Sequence, residues 1–114
     1  MASQPARGEI WLAELGRTRG DEQAGSRPVL IVSDDTFNFG PSGLVIVLPL
    51  TSTHRGIPAH IPIEHPEGGL KQPSVILCDH IRSISKDRLH DCWGEVSSET
   101  MAAVEEQLLI LLSL

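Results

Sequence analysis

The sequence predicts a small, partly closed β-barrel of α+β or mainly-β class with one helix at its end. Three observations point there. Short apolar runs rich in Val, Ile and Leu recur along the chain, and runs of that length bounded by turn residues read as strands. Polar stretches rich in Gly and Pro separate them, notably residues 38–43 and 64–73. Only the last stretch has helical spacing, with Met101, Val104, Leu108 and Leu111 recurring at three and four residues.

Taken in order, the first strand is expected over residues 10–15, which include Trp11. Residues 16–26 form a polar loop containing Gly20 and Gly25, long for a hairpin, and long loops in compact domains often carry function. The run at 29–33 is continuously apolar up to its last residue, as in a strand buried on both faces. Pro28 lacks a backbone N–H and suits a strand's first position, so Arg27 is expected at the strand's mouth. Residues 34–38 form a helical turn capped by an Asp, and 38–43 a turn. The most apolar strand, 44–50, runs directly into Thr51-Ser52-Thr53-His54-Arg55-Gly56. Residues 59–63 alternate polar and apolar, as a half-exposed strand does. A fifth strand at 74–78 leads at once into Asp79-His80, and Ile81 and Ile84 indicate that the sheet resumes past a bend. Residues 85–89 make one helical turn and 90–96 a last short strand. Ser97 or Ser98 caps the final helix, with Glu99 in its first turn. Leu109-Ile110-Leu111-Leu112 is apolar almost all round, so that end is expected to be covered both by the domain's own sheet and by a second subunit or partner peptide.

Composition narrows the function. Residues 1–114, 40% hydrophobic, are read as one domain with one core. No apolar stretch reaches membrane-spanning length and the N-terminus lacks the apolar core of a secretory signal, so a cytoplasmic protein is expected, with Cys78 and Cys92 as free thiols. A net charge of −6 argues against holding duplex DNA by bulk electrostatics. Any nucleic-acid contact needs a focused cleft. There is no Gly-rich phosphate loop, no CxxC or HExxH and no nucleophile elbow. His54, His60, His65, Cys78, His80, His90 and Cys92 lack the short paired spacing of structural zinc sites, so no metal is expected.

What remains is a convergence of polar groups at strand ends: Arg27, Thr51-Ser52 and Asp79-His80, with Glu22 and Gln23 in the loop before Arg27. If these strands are neighbours, the groups share a cleft. A guanidinium clamps phosphate, and an acid or imidazole moves protons. Together they suit RNA cleavage by the RNA's own 2′-hydroxyl, which needs a base, donors at the phosphate and a proton for the leaving oxygen, and no cofactor. Each residue also has a plainer reading. Arg27 pairs with Glu22 on the surface, Thr51 bonds a turn, Asp79 caps or pairs with Arg82, His80 is a half-buried sheet residue, and Trp11 and Trp93 are core.

The stretches Arg7-Gly8-Glu9-Ile10-Trp11, Gly20-Asp21-Glu22-Gln23-Ala24-Gly25-Ser26-Arg27-Pro28-Val29-Leu30-Ile31-Val32-Ser33, Leu48-Pro49-Leu50-Thr51-Ser52 and Ser74-Val75-Ile76-Leu77-Cys78-Asp79-His80-Ile81-Arg82-Ser83-Ile84 resemble, in that order, the MazF/PemK/Kid toxins of bacterial toxin–antitoxin pairs. The resemblance runs from Arg7 to the final helix. It implies an SH3-like barrel with a C-terminal helix, acting as a homodimer. It implies a metal-independent endoribonuclease that cuts single-stranded RNA, chiefly mRNA, leaving a 2′,3′-cyclic phosphate and a 5′-hydroxyl. A cognate antitoxin would neutralise it with an acidic, disordered segment laid over the RNA site. In the MazF branch the catalytic arginine and threonine match Arg27 and Thr51, and the loop glutamate matches Glu22. The Kid branch's arginine and histidine positions hold Leu77 and Asp21, and only its aspartate is kept, as Asp79. His80 stands where the family often has glutamine, and it is the candidate for proton transfer, with Glu22 as the alternative base. Gln23, Ser52, His54, Arg55, Asp79, Arg82 and Arg19 are expected to contact RNA. Two rivals remain: a non-catalytic relative of the gyrase-poisoning CcdB type, and a barrel that only binds acidic peptides.

Overall fold

The computed structural model describes residues 4–16 and 25–114. Among these, seven strands and two α-helices follow one another: β1 (Glu9–Glu14), β2 (Ser26–Ile31), α1 (Asp35–Asn38), β3 (Leu44–Thr51), β4 (His60–Ile63), β5 (Ser74–Leu77), β6 (Arg82–Ser85), β7 (Leu89–Glu95) and α2 (Ser98–Leu112). All pairings are antiparallel along the path β4-β5-β3-β2-β1-β7, and β6 joins β3. The long strand β3 organises the sheet. One edge pairs with β2, while the other is divided: residues 44–47 pair with β6, and Leu50 and Thr51 pair with β5. The result is a small α+β fold of mostly antiparallel sheet with a C-terminal helix. Its strand path stays open, ending at β4 and β7, rather than closing into a complete barrel.

The two-residue period of strands explains the core. Ile10, Leu30, Leu48 and Leu50 project into one apolar cluster together with Ile63, Ile76, Val96 and Val104. Their neighbours Trp11, Val29, Ile31, Val45 and Val47 project into a second cluster with Ile84. Both faces of β2 and β3 are therefore buried, which is why these runs are apolar without alternation. Trp11 is core, as its surroundings predict. The second strand begins earlier than its apolar run suggests, at Ser26, so Arg27 and Pro28 lie within β2 opposite Ala13 and Leu12 rather than before it. The ladder extends over these polar positions because β1 offers partners for them.

Helix α2 starts where its cap dictates. Ser97 accepts a hydrogen bond from Thr100 N at 3.1 Å, satisfying one of the helix's orphan donors. Val104 is fully buried and Met101 and Leu108 pack beside it. Leu111, expected on the same face, is instead exposed, as are Leu109, Ile110 and Leu112, so the domain's own sheet does not cover this end as expected. Arg7 ties α2 to the core by donating to the Val32 carbonyl and pairing with Glu105.

Glu67 anchors the helix start from the 64–73 loop. Its carboxylate accepts from Ser97 N at 2.9 Å and from Thr100 Oγ1 at 2.6 Å. Burial pushes this carboxyl up, but the hydrogen bonds outweigh it and hold the group below its ordinary value of 4.5. A lowered folded value means the charged form stabilises the fold above the unfolded value. That contribution disappears as pH falls through the folded one. Glu67→Gln is expected to cost about 1 kcal/mol at neutral pH, the margin by which bonds to a charged acceptor exceed neutral ones. Urea unfolding of the wild type and the variant should converge in acid, and a gap that stays constant with pH would contradict this role.

Candidate active site

The sheet register builds the site. The β2–β3 pairing runs Val29 opposite Pro49, and continuing it by two residues sets Arg27 opposite Thr51. On its other edge Thr51 faces Val75 of β5, and two residues on Leu77 faces His60 of β4. Directly opposed residues on one strand pair, and residues two apart along a strand, share a face. So Arg27, Thr51, Leu77 and His60 line up across four strands. After Leu77 the chain leaves the sheet in a 3₁₀ turn, Cys78–His80, which lifts Asp79 and His80 over the same face.

The product is an open cleft of about 280 Å³ lined by Arg27, Thr51, Thr53, Arg55, Ile57, His60, Leu77, Asp79 and His80. A second, shallower depression shares Arg27, Thr51 and Thr53 and continues past Ser26, Ser52, Gln72 and Ser74. A groove lined by two arginines, Arg27 and Arg55, suits an extended polyanion despite the protein's net negative charge.

Within the cleft the groups are held in specific ways. Arg27 Nη1 donates to the Leu50 carbonyl of β3 at 3.5 Å. Thr51 Oγ1 accepts from Thr53 N at 3.2 Å. The turn-bonding role expected of a lone threonine is thus real, and it leaves the hydroxyl proton to donate into the cleft. Asp79 does not pair with Arg82. Its Oδ1 lies 3.0 Å from His60 Nε2 and 3.9 Å from His80 Nε2. His60 is buried, whereas the Asp79 and His80 side chains are 37% and 39% exposed, so the latter two face an incoming ligand. The two imidazoles meet edge to face at 6.3 Å between centroids. Cys78, beside Asp79, is no nucleophile, because burial, together with the Asp79 charge, pushes its thiol up to about 11.

The structure thus brings Arg27, Thr51, Arg55, Asp79 and His80 together, with Ser52 in the adjoining depression. It does not bring His54 or Arg82 into the cleft: His54 is exposed on the 52–59 segment, and Arg82 pairs with Val47 in β6, beyond the turn that turns the chain away. Glu22, Gln23 and Arg19 lie outside the described residues. Trp93 is partly buried against the core, with Lys71 Nζ 5.3 Å from its ring. Thr53, Ile57, His60 and Leu77 also line the cleft; none of them was assigned a role there from the sequence, where His60 figured only among histidines without zinc-site spacing. His60, Asp79 and His80 place one ligand atom each within 4.8 Å of one another, a proximity that their spacing in the sequence does not reveal.

Comparison with known proteins places this architecture. Residues 6–112 match the family model described as PemK-like, MazF-like toxin of type II toxin-antitoxin system. The chain is 37% identical over 109 residues to endoribonuclease EndoA of Bacillus subtilis (strain 168), covering 95% of this chain and 94% of that protein. Among solved structures it is similar to MazF (Form-I) from Deinococcus radiodurans, with a TM-score of 0.85 and 29% identity over 99% of this chain and all of that one. It is also similar to an endoribonuclease in complex with its cognate antitoxin from Mycobacterial species, with a TM-score of 0.80 and 31% identity over 96% of both chains.

Proposed function

The chain belongs to the PemK-like, MazF-like toxin family of type II toxin–antitoxin systems, and from that premise we propose that it is a sequence-specific, metal-independent endoribonuclease that cuts single-stranded RNA, chiefly mRNA, in the cytoplasm. The observation that carries the reading is the meeting of Arg27, Thr51, Asp79 and His80 in one cleft. Arg27 holds the scissile phosphate and stabilises the charge that develops on it; a guanidinium is a poor proton donor and does not serve as the acid. Thr51 donates its hydroxyl to a phosphate oxygen. The 2′-hydroxyl attacks phosphorus and loses its proton to a base, the P–O5′ bond breaks, and the 5′-oxygen takes up a proton. The ends are a 2′,3′-cyclic phosphate and a 5′-hydroxyl. His80, steadied by the Asp79 carboxylate, carries the proton transfer, and Glu22 is the alternative base. Single strands are the substrate because their splayed bases reach a cleft that an A-form duplex cannot enter.

A cognate antitoxin neutralises the enzyme by laying an acidic segment over the same arginines, and a second copy of the chain covers the exposed apolar end of α2 to make a homodimer. The gyrase-binding alternative is not favoured, since the family match and a relative named as an endoribonuclease both point to RNA cleavage. Incubating the purified protein with a long RNA in EDTA and mapping the ends tests the reading. Discrete cuts with 5′-hydroxyl ends are expected, and intact RNA would refute it. The proton-transfer assignment is tested by the pH–rate profile of His80→Gln. Loss of one limb of the profile is expected, and an unchanged profile would demote His80 to a structural residue.

A further inference from the structure

We propose that His60, Asp79 and His80 form a reversible zinc site within the cleft, and that Zn²⁺ bound there inhibits RNA cleavage. The inference rests on the proposed function for its regulatory half only. Two imidazoles and one carboxylate are a donor set suited to zinc and its late-transition neighbours, whereas magnesium prefers oxygen ligands and keeps its waters. The geometry is close to what an ion requires. Ligand atoms about 2.0–2.1 Å from a tetrahedral zinc lie about 3.4 Å apart; the three donors here lie within 4.8 Å of one another, so side-chain movements of about an ångström bring them to an ion.

The three residues reach this point from two separately anchored elements. His60 opens β4 and is paired through the ladder with Leu77, and Asp79 and His80 sit on the turn that follows Leu77. Their backbones are therefore fixed relative to one another without the short sequence spacing of structural zinc sites. His60 is buried, and its Nδ1 has no hydrogen-bond partner. An ion taking either ring nitrogen thus displaces at most one hydrogen bond, that to Asp79, which itself becomes a ligand. Asp79 and His80 are part-exposed, so solvent supplies the remaining ligand and the ion has an entry path. Arg27 and Arg55 line the same cleft and oppose a dication, which makes the site one of reversible occupancy rather than a structural centre. An ion held by Asp79 and His80 removes both from contact with RNA, so occupancy and cleavage exclude each other.

The test uses the untagged full chain. Calorimetric titration with ZnCl₂ should show one equivalent per chain, retained in Arg27→Ala. In His80→Gln and in His60→Gln binding should weaken at least about tenfold, the scale that even outer-shell changes produce. MgCl₂ should give no binding. Cleavage of RNA should fall at least about tenfold at saturating Zn²⁺ and recover on adding EDTA. Zinc binding unchanged in His80→Gln would overturn the site, and that variant keeps the test open if His60→Gln fails to fold. Full activity at saturating Zn²⁺ would overturn the inhibition. RNA left intact in EDTA counts against the proposed function alone, because the titration still decides whether the site exists.

Discussion

Arg27→Ala is expected to slow RNA cleavage about 10³-fold while the protein stays folded. Removing one preorganised donor from a developing oxyanion costs about 10²–10³, and a guanidinium at a transferring phosphoryl group contributes about 10³–10⁵. The backbone of Arg27 is held in the β1–β2 ladder opposite Ala13, so truncating its side chain leaves the strand in place. Arg27→Lys should recover only part of the rate, because an ammonium keeps the charge but loses the two-pronged fork. Single-turnover kinetics on a short RNA, with circular dichroism as the control for folding, measures this. A folded Arg27→Ala protein that cuts at near wild-type rate would remove Arg27 from the chemistry.

The largest stability effect is expected from Gly69→Ala, far from the cleft. Gly69 has φ of 76°, and a Cβ built on it lies 2.2 Å from the Trp93 carbonyl oxygen. That neighbour is backbone in β7 and cannot rotate away. The neighbouring Gly68 meets a side-chain atom, Ile10 Cδ1, at 2.5 Å, so the turn at Glu67–Gly69 sits pressed on β1 and β7. Forcing it off also loosens Leu70 from the core and Glu67 from the start of α2. Backbone strain of about 1–3 kcal/mol adds to overpacking of similar size. A loss of about 3 kcal/mol or more follows, over a hundredfold in the folding equilibrium at about 1.4 kcal/mol per factor of ten. Urea unfolding should show it as a large drop in midpoint. A midpoint matching the wild type would mean that the turn does not approach β7 this closely.

The two effects lie at different depths of legibility. The strands were readable because their physics is local: β2 and β3 are apolar on both faces and the structure buries both. Ser97 or Ser98 announced the helix start because capping needs only a hydroxyl shortly before an orphan N–H, and the structure uses Ser97. The apolar end of α2 was read as covered on one side by the domain's own sheet, and there the structure differs: Leu109, Ile110, Leu111 and Leu112 are exposed, because apolar composition does not tell how far the sheet reaches. The start of β2 was misplaced by two to three residues because ladder pairing with β1, invisible in composition, recruits Ser26 and Arg27.

The cleft followed the same division. Polar residues at strand ends pointed to Arg27, Thr51 and Asp79-His80, and antiparallel register brings them together. Asp79 was expected to cap or to pair with Arg82 three residues on. It pairs instead with His60, nineteen residues back, because β4 and β5 are neighbours. No spacing rule finds a partner created by tertiary pairing. The same blindness hid the His60, Asp79 and His80 cluster, whose donors come from a strand and a turn that only the folded sheet makes adjacent.

The central claim is that a guanidinium and a hydroxyl from facing strands hold one phosphodiester while the RNA attacks itself. The most direct measurement uses a short RNA, cut at one mapped bond, in which the ribose on the 5′ side of that bond carries hydrogen instead of the 2′-hydroxyl. In EDTA, with the unmodified strand as control, the control should be cleaved to a 2′,3′-cyclic phosphate and the modified strand should bind but stay intact. Cleavage of the modified strand at the same bond would contradict the account, because the attacking group would then have to be something other than the RNA's own oxygen.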